Sequence, residues 1–225
     1  PRMEHLSPEE LMREVGTPPE IFTYHHYYGL SDRGGEGPHH PTADVVLTEE
    51  HLAKTERTLN WGPTWLDVPR YVDQLGRLAK LNVTAVMHNT LCASDYGMLD
   101  DVTHLPRPKY WAAWLWAKFM GTTVYEVNIP LREGLHAYAH NRRNGSGYAL
   151  VLINTSRTDV TTVDLPQGSE ACVLTSTEVR GATVQCNDVT LAMVDDRTMP
   201  TVTAVAAEGS FDLPPISVTY VTVPA

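Results

Sequence analysis

The sequence of 225 residues lacks the long apolar runs and basic clusters that mark several classes of protein. No stretch of about 18 consecutive apolar residues occurs, so the sequence predicts no membrane-spanning helix. The net charge is −10, which argues against nucleic acid and anionic membranes as partners. We interpret the single adjacent basic pair, Arg142-Arg143, as a solvated hairpin loop and not as a clamp for sulfate groups.

The signatures of several enzyme classes are also missing. The sequence has no Gly-rich phosphate loop, GxSxG elbow or HExxH motif, which excludes the common nucleotide-binding, esterase and metalloprotease classes. None of the cysteines has a metal-ligand spacing, and we expect no metal or other cofactor. Cys172 and Cys186 flank a predicted turn, and both a disulfide and two free core thiols remain open.

Three Asn-X-Ser/Thr sequons begin at Asn82, Asn144 and Asn154. They are compatible with a secretory route, so we expect an extracellular or lysosomal protein. Residues 1–5 are polar and contain no signal peptide. We therefore expect that a leader was removed or that the sequence begins within a longer protein.

The pattern before Gly121 is typical of an α/β domain, which we place at residues 1–121. Helices are indicated by apolar residues at spacings of three and four, and strands by β-branched and aromatic runs. Pro69 falls in the first turn of one helix and Gly121 ends another. The predicted elements are strand 21–28, helix 48–59, helix 64–81, strand 83–91 and helix 108–120.

Residues 122–225 contain short alternating runs separated by turns, and no helical periodicity. This spacing predicts a β-sandwich domain of about one hundred residues. The predicted strands are 122–128, 135–141, 147–154, 160–165, 171–178, 189–194 and 216–223.

The two helices at 48–59 and 64–81 follow each other with only residues 60–63 between them. An alternating α/β fold would place a strand there. The pattern therefore fits either a simple helical hairpin or a barrel segment from which one strand is missing.

Some side chains are candidates for chemistry. Alternation places His25 and Tyr27 on one face of the strand 21–28 and His26 and Tyr28 on the other. A barrel would direct one of these pairs into its lumen, although hydrogen-bonded core histidines are an alternative. Asp95 lies in the loop 92–97 that follows the strand 83–91, where it could be an acid or nucleophile, but we interpret it as a turn former or cap. Residues 194–197 (VDDR) are interpreted as a turn and not as a carboxylate dyad.

Three tryptophans, Trp111, Trp114 and Trp116, lie in the helix 108–120. Exposed indole rings could form a platform for stacking sugars. The helical spacing favours instead a core position in which the rings pack the helix against the sandwich.

Four stretches together resemble heparanase and its bacterial relatives in glycoside hydrolase family 79. They are YHHYY at 24–28, YVDQLGRL at 71–78, VMHNTLCASDYG at 86–97 and LAMVDDRTMP at 191–200. The resemblance implies a (β/α)₈ TIM barrel followed by a C-terminal β-sandwich, with this sequence supplying the last third of the barrel.

The resemblance further implies hydrolysis of β-linked glucuronic acid with retention, by two glutamates about 5 Å apart. The acid/base would lie upstream of Pro1. The nucleophile belongs to the seventh barrel strand, which is the strand that the helix order suggests is missing. Glu56 is the nearest carboxylate, but it does not match the nucleophile motif. We therefore assign no catalytic residue and expect no turnover by this chain alone.

A substrate-binding shell does carry over by resemblance. His25 and Tyr27 match residues of the sixth strand that orient the nucleophile and the sugar. Ser94 and Tyr96 match the eighth-strand loop, which holds the glucuronate carboxylate through a backbone N–H and a tyrosine hydroxyl. A glycine is usual where Ser94 stands, and the backbone donor survives that change.

These observations predict an incomplete β-glucuronidase or heparanase-like hydrolase. Its partners would be a glucuronic-acid-containing glycan or glucuronide, and the N-terminal part of the barrel as a separate chain. The acidic balance favours an exo-acting enzyme or a weakly sulfated substrate. The alternative is a catalytically dead carbohydrate-binding or partner subunit of a split hydrolase.

Overall fold

The computed structural model describes residues 62–94, 96–129 and 133–225. Within these ranges it contains two helices and an extensive antiparallel β-structure. No helix of the described part is long and apolar enough to cross a membrane. The predicted strand 21–28, the helix 48–59 and the junction at Asn60 lie outside the described residues, so the missing strand stays a prediction.

Helix α1 (Asp67–Lys80) confirms the predicted helix 64–81, with Pro69 in its first turn. Acidic Asp67 near its start and basic Lys80 at its end both favour the helix macrodipole. The buried face of α1 packs on the sheet, and Gly76 lies against the ring of Tyr138 so closely that a β-carbon would overlap it. Glycine is therefore required at this contact.

Helix α2 (Pro108–Phe119) confirms the third predicted helix and begins with proline at its first position. Its end differs from the prediction, because Gly121 does not terminate it. Met120 is already extended and begins strand β1 (Met120–Tyr125). Gly121 instead allows the side chain of Asn141 to approach the backbone. The division at 121/122 into two domains stays a prediction.

Eight strands of the described residues form the main sheet. After β1 they are β2 (Leu135–Arg142), β3 (Tyr148–Asn154), β5 (Glu170–Thr175), β6 (Gln185–Cys186), β7 (Val189–Thr190), β8 (Val205–Ala206) and β10 (Ser217–Val223). Their order is β1-β2-β3-β10-β5-β6-β7, with β8 beside β5. Strand β10 lies at the centre and is buried along its whole length, because both faces of the sheet are covered.

Strands β4 (Thr161–Leu165) and β9 (Gly209–Leu213) form a second, antiparallel sheet. Val163, Leu165 and Leu213 pack against the main sheet in a core separate from the one beneath the helices. The helices cover the opposite face, where the Tyr220 hydroxyl donates to the Ala112 carbonyl at 2.8 Å. The result is a layer of helices, a central sheet and a small outer sheet.

The expected part of a TIM barrel is not seen among the described residues, and the predicted strand 83–91 is wrong. Residues 83–88 form no strand, and Val83, Val86 and Met87 are exposed. Their apolar composition is typical of a barrel strand. Such a strand forms only when neighbouring strands make hydrogen bonds to its backbone N–H and C=O groups. No neighbouring strand lies beside this segment in the described structure.

The seven predicted sandwich strands are present, with shifted ends. Three strands were not predicted: β6 and β8 have two residues each, and β9 has the sequence GSFDL, which is poor in β-branched residues. The predicted turn at 194–197 is confirmed, since the Asp195 carboxylate accepts from the Arg197 N–H at 2.8 Å. The basic pair lies at the β2–β3 hairpin as expected, with Arg143 exposed.

Cys172 and Cys186 lie on the neighbouring strands β5 and β6 as buried free thiols. A hydrogen bond between the two lowers the pKa of Cys172 and raises that of Cys186. The structure therefore has the reduced alternative of the two that the sequence left open.

A buried carboxylate joins α1 to the sheet. Asp73 has no exposed surface and accepts from the Tyr138 hydroxyl at 2.6 Å and from Arg77 Nε at 2.6 Å, with His136 Nδ1 at 2.9 Å. Burial alone would raise the pKa of Asp73, but the hydrogen bonds from His136, Tyr138 and Arg77 hold it below its usual value. The charge therefore stays on Asp73 and fixes the helix against β2.

We expect Asp73→Ala to lower the free energy of unfolding by about 3–5 kcal/mol, because it removes a buried acceptor shared by three donors. Urea denaturation measures the loss. The matched control is Glu126→Ala, whose ion pair with Lys80 is exposed and should contribute less than about 1 kcal/mol. Equal small losses for both variants would contradict the importance of this contact.

Candidate functional site

The candidate site is the segment 88–107, which connects α1 to α2 and contains Ser94 and Tyr96. Both residues are half-buried. His25, Tyr27 and Asp95 lie outside the described residues, so whether they approach this segment stays a prediction. The structure thus places half of the predicted binding shell, and it places that half on an irregular loop.

Arg107 holds the loop at Ser94. Its Nη1 donates to the Ser94 carbonyl at 2.5 Å, and its Nη2 donates to Asp100 at 3.1 Å and Asp101 at 3.0 Å. The side chain is 8% exposed, so these contacts are largely screened from water. The planar guanidinium can reach all three acceptors at once, which fixes the direction of the Ser94 carbonyl.

Asp100 is itself fixed by the turn that follows it. It accepts from the N–H groups of Val102 and Thr103 and from the Thr103 hydroxyl. These hydrogen bonds, the Thr103 N–H first, and then Arg107 hold the pKa of Asp100 well below its usual range. The carboxylate therefore remains an anionic partner for Arg107.

Lys109 and His88 hold the loop at Tyr96. Lys109 Nζ donates to the Tyr96 carbonyl at 3.2 Å, and His88 Nε2 lies 3.0 Å from the same oxygen. Because a carbonyl only accepts, His88 Nε2 carries the proton in this contact. The His88 ring meets that of Tyr71 edge to face at 5.8 Å, which orients the imidazole.

Asp67 balances the buried charge of Lys109. Its carboxylate lies 2.8 Å from Lys109 Nζ and 2.6 Å from Arg70 Nε, and all three side chains are almost completely buried. Burial would raise the pKa of Asp67, but the charges of Arg70 and Lys109 outweigh it and lower this pKa to about 2. Burial and the Asp67 charge raise the pKa of Tyr71 to about 12.

Backbone hydrogen bonds complete the loop. The Gly97 N–H donates to the Ser94 carbonyl at 3.0 Å, so this oxygen accepts from both the backbone and Arg107. The Leu99 N–H donates to the Leu91 carbonyl at 2.7 Å, which closes the base of the loop. The carbonyls of Ser94 and Tyr96 are therefore each held by at least two donors.

The anchoring residues were missed by the sequence analysis. Lys109 pairs with Asp67 and Arg107 contacts Ser94, so no short motif joins these cations to those partners. His88 and its partner Tyr96 share the stretch 86–97, but His88 was given no role there. One signal existed: Arg107 and Lys109 flank the start of a helix, where cations oppose the macrodipole. Basic residues at that position need carboxylate or carbonyl partners, and a search for those partners would have pointed to Asp67 and the loop.

The tryptophan stripe is not a sugar platform. Trp111 is 3% exposed, and Trp114 and Trp116 pack against the same core. The expectation that these rings join α2 to the sandwich is confirmed. Among the described residues, no group of three His, Cys, Asp or Glu side chains could hold a metal ion.

No protein-family profile matches the sequence. Heparanase-like protein 1 of Arabidopsis thaliana is 33% identical over 130 residues, which cover 58% of this chain and 24% of that protein. Baicalin-beta-D-glucuronidase of Scutellaria baicalensis is 31% identical over 84 residues, covering 37% of this chain and 16% of that protein. The chain is homologous to the heparanase-like proteins.

This homology confirms the resemblance to glycoside hydrolase family 79. The chain spans less than a quarter of the length of these relatives. A solved family 51 α-L-arabinofuranosidase from Thermotoga petrophila aligns with a TM-score of 0.51 and 16% identity, over 75% of this chain and 40% of that one. This likeness concerns the fold alone and is a partial match to TIM-barrel glycosidases.

We expect Arg107→Ala to accelerate amide hydrogen exchange at Gly97 by about tenfold, because the Ser94 carbonyl that accepts this N–H loses its side-chain support. Arg107→Lys should restore only part of the protection, since a point charge cannot replace the planar fork. Arg143→Ala is the control, because Arg143 also donates to a carbonyl, that of Ala117, but is exposed. Unchanged exchange at Gly97 would contradict the anchoring role.

We also expect acid to weaken the site through Asp67. Its pKa is lowered from 3.8 to about 2 in the folded protein, so its stabilisation is complete above pH 4 and is lost as the pH falls towards 2. The lost free energy of unfolding is about 2 kcal/mol. Urea denaturation from pH 5 to 2 should show a shallower pH dependence of the free energy of unfolding for Asp67→Asn than for the unsubstituted chain. An equal pH dependence would contradict the role of Asp67.

Proposed function

We propose that this chain carries the glucuronate-binding part of a retaining β-glucuronidase or heparanase-like hydrolase. The observation that carries the proposal is the anchoring of the loop at Ser94 by Arg107 and at Tyr96 by Lys109 and His88. These are the two positions that the family resemblance matches to the carboxylate-binding loop. Homology to a protein named baicalin-beta-D-glucuronidase supports a glucuronide as the substrate.

The charge balance of the loop indicates how the sugar would be recognised. The cations that support the loop already have carboxylate partners, since Arg107 pairs with Asp100 and Asp101, and Lys109 with Asp67. We therefore propose that the glucuronate carboxylate binds to neutral donors, the Tyr96 hydroxyl and a backbone N–H. A neutral site selects a sugar with one carboxylate and gives no advantage to a densely sulfated chain.

The proposed hydrolysis belongs to a larger assembly. The matched residues position substrate and include no catalytic glutamate, and a retaining reaction needs two. We propose that His25 and Tyr27 complete the shell around the sugar. The glutamates would come from barrel segments outside these 225 residues, in a longer protein or in a separate chain.

The test is a titration of the 225-residue chain with methyl β-D-glucuronide and methyl β-D-glucoside, followed by NMR chemical-shift changes. We expect tighter binding of the glucuronide. Tyr96→Phe should reduce this preference about tenfold, because one hydrogen bond to a charged group is lost. Tyr148→Phe is the control, since Tyr148 is an exposed tyrosine on β3 of the main sheet.

Salt and turnover separate the alternatives. Binding to neutral donors should change less than about twofold between 50 and 500 mM salt, whereas recognition by an unscreened cation would weaken steeply. We expect no release of chromophore from a nitrophenyl β-glucuronide by this chain. Equal affinity for the two glycosides would refute the proposal. Selective binding without turnover is the expected result for the chain alone. Turnover would stay absent in the presence of a partner chain only if this chain is a binding subunit.

A further inference from the structure

The three sequons differ sharply in their surroundings. Asn82 ends the turn after α1, Asn144 lies in the β2–β3 hairpin, and Asn154 ends strand β3. An asparagine can carry a glycan in a folded protein only if its side-chain nitrogen and the space around it face solvent. The structure assigns Asn144 as an N-glycan acceptor of the β-sheet region and excludes Asn154.

Asn154 cannot carry a glycan in this fold. Its side chain has no exposed surface, and its Nδ2 donates to the carbonyls of Asp159, Leu213 and Pro214 at 2.8, 3.0 and 3.1 Å. Its Oδ1 accepts from the Ser156 N–H at 3.0 Å. A sugar on Nδ2 would remove one donor and would have to occupy the closed space between β3 and the end of β9. A chain modified there could not form this structure.

Asn144 is in the opposite situation. Residues 143–146 are all exposed, and the hairpin turns through Gly145 and Gly147, both with positive φ. The sequon serine, Ser146, is exposed as well. An exposed, solvated loop tip is the kind of segment that glycosyl-transfer enzymes can bind.

The transfer needs a lipid-diphosphate-linked oligosaccharide as the donor. Nδ2 of Asn144 would form a bond to the anomeric carbon, while the bond from that carbon to the diphosphate oxygen breaks. The lipid diphosphate leaves with the electron pair, and the amide nitrogen loses one proton. No oxidant or reductant takes part.

A glycan on this hairpin would leave the candidate loop accessible. The Arg143 N–H donates to the Phe119 carbonyl, so the hairpin lies at the C-terminal end of α2. Lys109, which holds Tyr96, lies at the N-terminal end of the same helix. Ten residues of helix separate the two ends by about 15 Å.

The experiment expresses the 225-residue chain with a secretion signal in a eukaryotic host, in an Asn82→Gln background so that only two sequons remain. Glycopeptides of the secreted, folded protein are then mapped by mass spectrometry. We expect occupancy at Asn144 and none at Asn154. Ser146→Ala should abolish the glycan although Asn144 is retained, and Ser156→Ala should leave it unchanged.

The folded state is verified by circular dichroism, so that misfolded material is not counted. An unmodified Asn144 in secreted, folded protein would overturn the assignment, as would a glycan on Asn154. Because the inference concerns the hairpin, it does not depend on glucuronate binding. Repeating the titration with methyl β-D-glucuronide on the glycosylated protein tests glucuronate binding separately from glycosylation.

Discussion

The buried pairing of Asp67 with Lys109 is the contact on which the candidate site depends. Asp67 belongs to α1, Lys109 belongs to α2, and the same ammonium group reaches the Tyr96 carbonyl. Removing these charges from water is costly, so the arrangement is tolerated only when each partner is in place. The main effect of this contact is therefore to fix the relative positions of the two helices and the loop, and its contribution to net stability is smaller.

The sheet provides the rigid base for that placement. Strand β10 is buried on both faces, and its Tyr220 hydroxyl donates to α2. The carbonyl of Ile216, the residue just before β10, accepts from Trp65 Nε1 in the segment before α1 at 2.9 Å. Asp73 adds a third connection, from α1 to β2. Because the sheet holds both helices at several points, the helices cannot shift separately. The positions of the two ends of the loop between them are therefore fixed.

The sequence predicted those elements whose signal is local. Helix α1 shows apolar residues at helical spacing and β10 is rich in β-branched residues, so both were found. The strand 83–91 was predicted wrongly. Its apolar composition indicates burial, but a strand also needs neighbouring strands that hydrogen-bond to its backbone. Ser94 and Tyr96 came from family resemblance alone. Arg107 and Lys109 escaped because their partners lie 6 to 42 residues away, and only the folded chain brings them together.

Charge neutrality at the loop makes the acidic chain compatible with the acidic ligand that we propose. A net charge of −10 repels anions at long range, but salt screens this repulsion beyond about 8–10 Å. At close range, Asp67, Asp100 and Asp101 compensate the cations that fix the loop. Under the proposed function, a carboxylate would be recognised by directed neutral hydrogen bonds, which require a rigid frame because a misdirected donor gains little. The buried ion pairs supply that rigidity, and in doing so they leave the loop without excess positive charge.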